Sequence, residues 1–361
     1  MNNLRKKFPF VEQYIYANTA ASGLLSEDLL EWRQEHDLDY LIKGSIFTSK
    51  ANAMLEQTRQ VVGEFFNCPT TNVALLPCFS IGLNLLLEGL DPKEKVLLVA
   101  GDYPSLNLPF ENRGFALDYV DLVPDLEEQI YETIKTKKIT VLALSIVQWL
   151  NGIVIDLSFI KKLKKDFPDV MILADGTQFL GTQAFDFESS GIDILGASAY
   201  KWLLSGYGNG LVLVKEAIKE RFSLASKGYG SGRNIPKNEH YRTFCKHLEP
   251  GHLDSLAMGS LEFSLNFLAH VGMDKIEEKL QVLAVHAKRE FTALGLLDDA
   301  VVKRERHSTI FNIIGDQSVF DALEQHGVIC VQRGDGIRIS FHFYNTLEEI
   351  DTIVRILKNG K

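Results

Sequence analysis

Lys201, in the stretch SAYKWLLSGYGNG, lies between aromatic residues and a glycine-rich turn. Three readings are open to its amine. It could be a charge whose stem lies along Tyr200 and Trp202 while its head stays in water, a clamp for a phosphate, or a nucleophile toward a carbonyl. The strand pattern in VMILADGTQ ends on Asp175, with Gln178 three residues on; an Asp-Gly pair serves a turn or a helix cap as readily as a reactive site. In DILGASAYK, Ser198 precedes the lysine by three residues. Gly206, Gly208 and Gly210 let backbone approach a ligand closely, but their spacing matches neither a Walker A loop nor the dinucleotide fingerprint, which argues against nucleotide binding. Upstream, LLPCFSIGLN runs a strand pattern into a helix whose free N–H groups begin near Ser80, a position that favours an anion. AGDYPS sets Tyr103 where its ring could cover a planar ligand or pack in a core.

For these groups to meet, regular elements must deliver them to one edge. From about residue 70 short apolar runs alternate with helix-period segments, the pattern of an α/β sheet with crossover helices. Strands are predicted at VALLP, KVLLVA, ALDYVDL, TVLALSIV, VMILAD, DILGASA and GLVLV, apolar enough to be covered on both faces. SIGLNLLLEGL, DLEEQIYETIK and DLSFIKKLKKDF read as amphipathic helices opened by Ser or Asp caps. Ligands of such sheets sit beyond the carboxyl ends of the strands, where Asp175, Ser198 and Lys201 fall. Residues 223–254, rich in Gly, Lys, Asn and His, read as a long functional or interface loop. Two long helical patterns then precede a strand-helix-strand mixture, a smaller α+β domain. The predicted organisation is an N-terminal segment, 1–20, packing with the small domain, a large domain, 21–254, and a small C-terminal domain, 255–361.

The bulk properties fit a soluble enzyme. The 361 residues, 46% hydrophobic and 24% charged, suffice for a large core and a smaller second one. A formal net charge of −9 argues against a nucleic-acid partner, which would be held through lysine and arginine. The four cysteines show neither C-x-x-C nor zinc spacing, so neither disulfides nor a metal is predicted. No run approaches the roughly 18 apolar residues needed to span a bilayer, and the basic N-terminus is followed by no apolar stretch, so a cytoplasmic protein with no membrane partner is expected.

A strand-end lysine, a strand-end acid, a phosphate-ready helix start and an aromatic face are together what pyridoxal 5'-phosphate requires. The amine bonds its aldehyde, and the acid keeps its ring nitrogen protonated so that the ring can accept electrons. The motifs YANTAASG, PCFSIGLN, GDYPSLNLPF, ADGTQ, SAYKWLLSGYGNG, LEPGHLD and IRISFHFYNTLEEID, in this order over nearly the whole chain, resemble those of the class V aminotransferases, the fold-type I pyridoxal phosphate enzymes that include cysteine desulfurases and isopenicillin N epimerase. The resemblance implies a mainly parallel large domain carrying Lys201 as covalent anchor and proton carrier, with Asp175 on the ring nitrogen and Gln178 near the phenolic oxygen. It implies Tyr103 stacked on the ring, and Ser80, Ser198 and the backbone N–H groups around Phe79 at the phosphate. Arg338 matches the arginine that forks onto the substrate α-carboxylate. Gln148 and Trp149 stand where an asparagine of the family meets the cofactor, and His252, reaching across a homodimer, stands where a threonine meets the partner's phosphate. Asn18 and Trp149 would help to build the side-chain pocket.

The departures bear on the reaction. Desulfurases carry a nucleophilic cysteine on a loop before the arginine strand; here only RGDG separates VICVQ from IRIS, and Cys330 falls inside the strand pattern as a small hydrophobe. The expected activity is therefore transamination between an amino acid and a 2-oxo acid. A lyase or epimerase working from the same Cα deprotonation is the alternative, and a non-catalytic pyridoxal phosphate-binding protein is a further one.

Overall fold

The computed structural model describes residues 2–232 and 240–359. In chain order its strands are β1 Ile15–Tyr16, β2 Val73–Leu76, β3 Lys95–Val99, β4 Ala116–Val120, β5 Val141–Ser145, β6 Met171–Asp175, β7 Ile194–Ser198, β8 Gly210–Val214, β9 Ile310–Ile314, β10 Val328–Ile329, β11 Val331–Arg333 and β12 Gly336–Ser340. Strands β2 to β8, which coincide with the seven predicted, form one sheet in the order β2-β8-β7-β6-β5-β3-β4. Pairing is parallel from β4 through β3, β5 and β6 to β7, and β8 runs antiparallel to both of its neighbours, β7 and β2. Side chains alternate between two apolar cores: Val73 and Leu75 face one, Ala74 and Leu76 the other. Each fully buried leucine contributes about 2 kcal/mol, which is why most of these strands are apolar on both faces. β4, predicted to be covered likewise, lies at the sheet edge and is largely exposed.

The remaining strands lie elsewhere. β11, β12 and β9 form an antiparallel sheet. The N-terminal stretch joins this part of the molecule: β1 pairs in parallel with β10, and Asn18 bridges to Ser340. The helix Met273–Ala293 packs with the helix Leu347–Asn359, whereas the helix Ser255–Val271 lies against Glu27–Lys43 and Thr48–Phe66.

Three departures from the sequence reading have physical reasons. The helices Glu27–Lys43 and Thr48–Phe66 were not predicted. The first leaves Leu38, Leu41 and Ile42 exposed, and the second buries Thr58, Arg59 and Gly63 among Val61, Val62 and Phe66, so polar and small residues interrupt the apolar faces. The helix expected to open at Ser80 starts at Phe79 behind Cys78, and Asp125 holds a cap position without a side-chain bond; Asp156 does cap, accepting from Ser158 N at 2.8 Å. The stretch read as one loop, 223–254, contains the helix His240–His247, and its residues 233–239 lie outside those described. Among the described residues no helix is long and apolar enough to cross a membrane, and no cluster of acidic, histidine or cysteine side chains could hold a metal ion.

Candidate active site

Parallel strands bring their carboxyl ends to one edge, and the register makes the meeting specific. Ser145 ends β5 opposite Asp175 at the end of β6, Asp175 lies opposite Gly196 on β7, and Ser198 ends β7 opposite Gly210. Lys201 sits in the turn between β7 and β8, only 5% exposed. Its Nζ lies 5.5 Å from the centre of the Tyr103 ring and 5.7 Å from that of Tyr200. Burial lowers its pKa to about 8; Asp175 opposes that shift, and Arg338 and Arg333 reinforce it. The turn is held on both sides. Trp202 donates through Nε1 to Gln178 Oε1 at 2.7 Å, and Tyr200 O accepts from Gly23 N at 2.9 Å. A Cβ on Gly23 would stand 2.0 Å from Lys201 O, so only glycine permits this approach.

Asp175 accepts from Thr177 N at 2.8 Å, and burial raises its carboxyl pKa to about 6. A second buried carboxylate, Asp102, adds to that rise by repulsion and is itself pushed up by burial. Asp102 accepts from Ser145 N and Oγ at 2.8 and 2.6 Å, from Tyr103 N at 2.6 Å and from Gln148 Nε2 at 3.2 Å. The sequence reading missed Asp102, Ser145 and Thr177. The available signal was an acid directly before Tyr103 at a strand end. Gln148, expected on the cofactor, instead has its amide N–H on Asp102. Gln178 gives one N–H to Ala20 O at 2.9 Å, which leaves one further N–H and one lone pair on its amide.

The phosphate end lies where the helix Phe79–Glu88 begins. Phe79 N donates to Ser198 Oγ at 3.0 Å, which leaves the serine its own proton to give, and Ser198 N donates to Thr177 Oγ1 at 3.1 Å. The Phe79 N–H is thus held by a hydroxyl, and half-buried Ser80 sits in the same first turn.

On the other side Arg338 is 3% exposed on β12 and donates through Nη1 to Trp149 O at 2.8 Å. Its guanidinium lies 6.0 Å from the Trp149 ring centre, and Trp149 meets Tyr103 edge to face at 5.7 Å. Burial lowers its pKa to about 10, with Arg333 adding repulsion. Arg338 Nε and Asn18 Oδ1 are buried with no hydrogen-bond partner. Such orphans are rare in a finished interior, and these two leave bonding capacity for a water or a ligand. His252 is exposed and stacked on Tyr229 at 4.5 Å; the role expected for it needs a second copy of the chain. Cys330 is buried with its thiol pushed up to about 12, in keeping with a packing residue.

The arrangement fits pyridoxal phosphate. A buried lysine partly neutral near pH 8 can attack an aldehyde, a carboxyl held near 6 gains from a cationic ring nitrogen beside it, and the helix start with Ser198 offers donors to a phosphate.

The family model described as aminotransferase class-V matches residues 15–353. A probable cysteine desulfurase of Ureaplasma parvum is 21% identical, over 99% of this chain and 97% of its own. The apo cysteine desulfurase of Thermococcus onnurineus superposes with a TM-score of 0.86 at 20% identity, covering 99% of this chain and 97% of the other. The cystine C–S lyase C-DES, solved with glycine covalently linked to its pyridoxal phosphate, gives a TM-score of 0.86 at 18% identity, covering 98% of each chain. At these identities the structural likenesses establish a shared fold.

Proposed function

This chain belongs to the class V aminotransferases, a family of pyridoxal phosphate enzymes, and from that premise we propose that it is an aminotransferase acting on an α-amino acid and a 2-oxo acid. The observation that carries the reading is the buried lysine with its pKa lowered to about 8, set between a buried acid and an arginine with an unpaired N–H. When bound, the cofactor supplies an electron-accepting ring conjugated to the substrate Cα. Arg338 holds the substrate α-carboxylate, and its Nε then gains a partner. Lys201, which would hold the cofactor through its aldehyde, would take and deliver the substrate Cα proton, a role that a pKa lowered to about 8 suits. Asp175 would pair as a carboxylate with the ring nitrogen, Gln178 would serve the phenolic oxygen, and Ser80 and Ser198 would hold the phosphate. Tyr103 covers the ring. Trp149 and Asn18 border the side-chain pocket. We further propose a cytoplasmic homodimer in which His252 serves the partner's site, with the domain limits 1–20, 21–254 and 255–361.

A second reading, elimination at the β-carbon, draws on the names of the relatives, cysteine desulfurases and a cystine C–S lyase. Against a persulfide held on a protein cysteine stands the short RGDG turn before β12 and the burial of Cys330.

The purified protein should carry a visible absorbance band and yield a borohydride-fixed adduct, and Lys201→Ala should lose the adduct. A protein that takes up no cofactor ends the proposal. Conversion of the band on adding an amino acid, with release of a 2-oxo acid in equal amount, identifies transamination; pyruvate with a released sulfur species identifies elimination.

A further inference from the structure

The hairpin β11–β12 carries two arginines on one face. Val331 lies opposite Arg338 and Arg333 opposite Gly336. Residues paired across strands, and residues two apart along one, share a face, so Arg333 emerges diagonally beside Arg338 on the side turned toward Trp149. The hairpin tip is fixed there. Gly334 has φ +58°, and a Cβ on it would stand 3.0 Å from Leu150 Cδ2, one residue past the tryptophan whose carbonyl holds Arg338. Asn312, opposite Arg338 on β9, donates through Nδ2 to Arg333 O at 2.8 Å and so holds the backbone from which the side chain leaves.

Arg338 is sealed in the site, whereas Arg333 is exposed at its rim. Among the described residues neither guanidinium has a carboxylate within ion-pair distance, and Asp335, two residues along the turn, makes no pair with Arg333. Arg333 nevertheless acts on the interior, opposing the charge of both Arg338 and Lys201. Arg338 and Arg333 thus bring two like charges to one side of the pocket. Like charges gathered without an anion are costly in the free protein, and a ligand bearing two negative groups relieves that cost.

On the reading of this pocket as an amino-acid site, the geometry points to a substrate whose side chain ends in an anionic two-oxygen group: Arg338 takes the α-carboxylate and Arg333 the distal one. The substrate class is the acidic α-amino acids, with dicarboxylic 2-oxo acids as their partners. A guanidinium presents paired N–H donors that match the edge of a carboxylate.

The test uses the holoprotein and ligands that cannot react. By calorimetry glutarate should bind about 10- to 100-fold more tightly than butyrate, the range for a charge-assisted hydrogen-bonded pair. Arg333→Gln should remove most of the difference by weakening glutarate far more than butyrate, Arg333→Lys should restore part of it, and added salt should narrow it because Arg333 is exposed. Spectral titration should rank L-aspartate or L-glutamate above L-asparagine and L-alanine. A higher rank for L-cysteine sulfinate supports the same two-arginine recognition with sulfur as the distal centre. Equal binding of glutarate and butyrate, or a preference that survives Arg333→Gln, overturns the proposal. If no amino acid alters the cofactor band while glutarate still binds through Arg333, the amino-acid enzyme reading falls and the dianion site stands.

Discussion

A buried lysine and a buried arginine each leave a thermodynamic signature. In the apoprotein Lys201 titrates near 8, whereas an unfolded lysine titrates near 10.5. Above about pH 8 the unfolded chain therefore binds the extra proton, and stability rises with pH until about 10.5; as pH falls through 8 that contribution is lost. Relative to Lys201→Ala, the unfolding free energy of the apoprotein should climb by on the order of 3 kcal/mol across this window, as read from denaturant titrations at stepped pH. Arg338 offers the opposite trade. Its charge is buried with Nε unpaired, so Arg338→Met should raise apoprotein stability by about 1–2 kcal/mol in thermal unfolding. The same change should weaken amino-acid binding about 100-fold in spectral titration, since the α-carboxylate loses its charged partner. A variant that loses both stability and binding would instead show that the arginine is structural.

Elements decide how far such side chains could be foreseen. Six of the seven strands of the central sheet are legible as apolar runs buried on both faces, whereas β4 at the edge is largely exposed, and with the six come the strand-end positions of Asp175, Ser198 and Lys201. The helices from Glu27 to Phe66 are not, because the first leaves Leu38, Leu41 and Ile42 in water and the second mixes Thr58, Arg59 and Gly63 into the face that buries Val62 and Phe66. Asp102 was hidden for another reason: its meaning depends on Ser145 and Gln148 arriving from a different strand, and no spacing along the chain records that. Two contacts between elements can be tested directly. Gly23→Ala places a methyl against the carbonyl of Lys201 and should cost about 1–3 kcal/mol while lowering cofactor affinity, measured by equilibrium uptake. Glu249 accepts from Arg59 at 2.6 and 2.9 Å and from Leu75 N at 2.7 Å, joining the helix Thr48–Phe66 and β2 to the segment that leads to His252. Glu249→Ala strands a buried guanidinium and should destabilise by about 3–5 kcal/mol in urea unfolding.

At the scale of the molecule, the helix Glu27–Lys43 and the turn after it leave Leu41 81% exposed, Ile42 71% and Ile46 81%. Large apolar groups gathered on one surface mark an association face, and a second copy of the chain is the partner the dimer proposal names. Light scattering should give about twice the 40.6 kDa of one chain, and Leu41→Glu with Ile46→Glu should return the monomer mass. The pairing of β1 with β10, and of Asn18 with Ser340, sets an order in time as well as in space. During synthesis the first strand leaves the ribosome long before its partner exists, while the sheet from β2 to β8 has all of its strands at hand. The stretch that presses Gly23 onto the lysine turn is therefore secured only once β10 and Ser340 have been made, so the pocket around Lys201 gains its N-terminal wall after the central sheet.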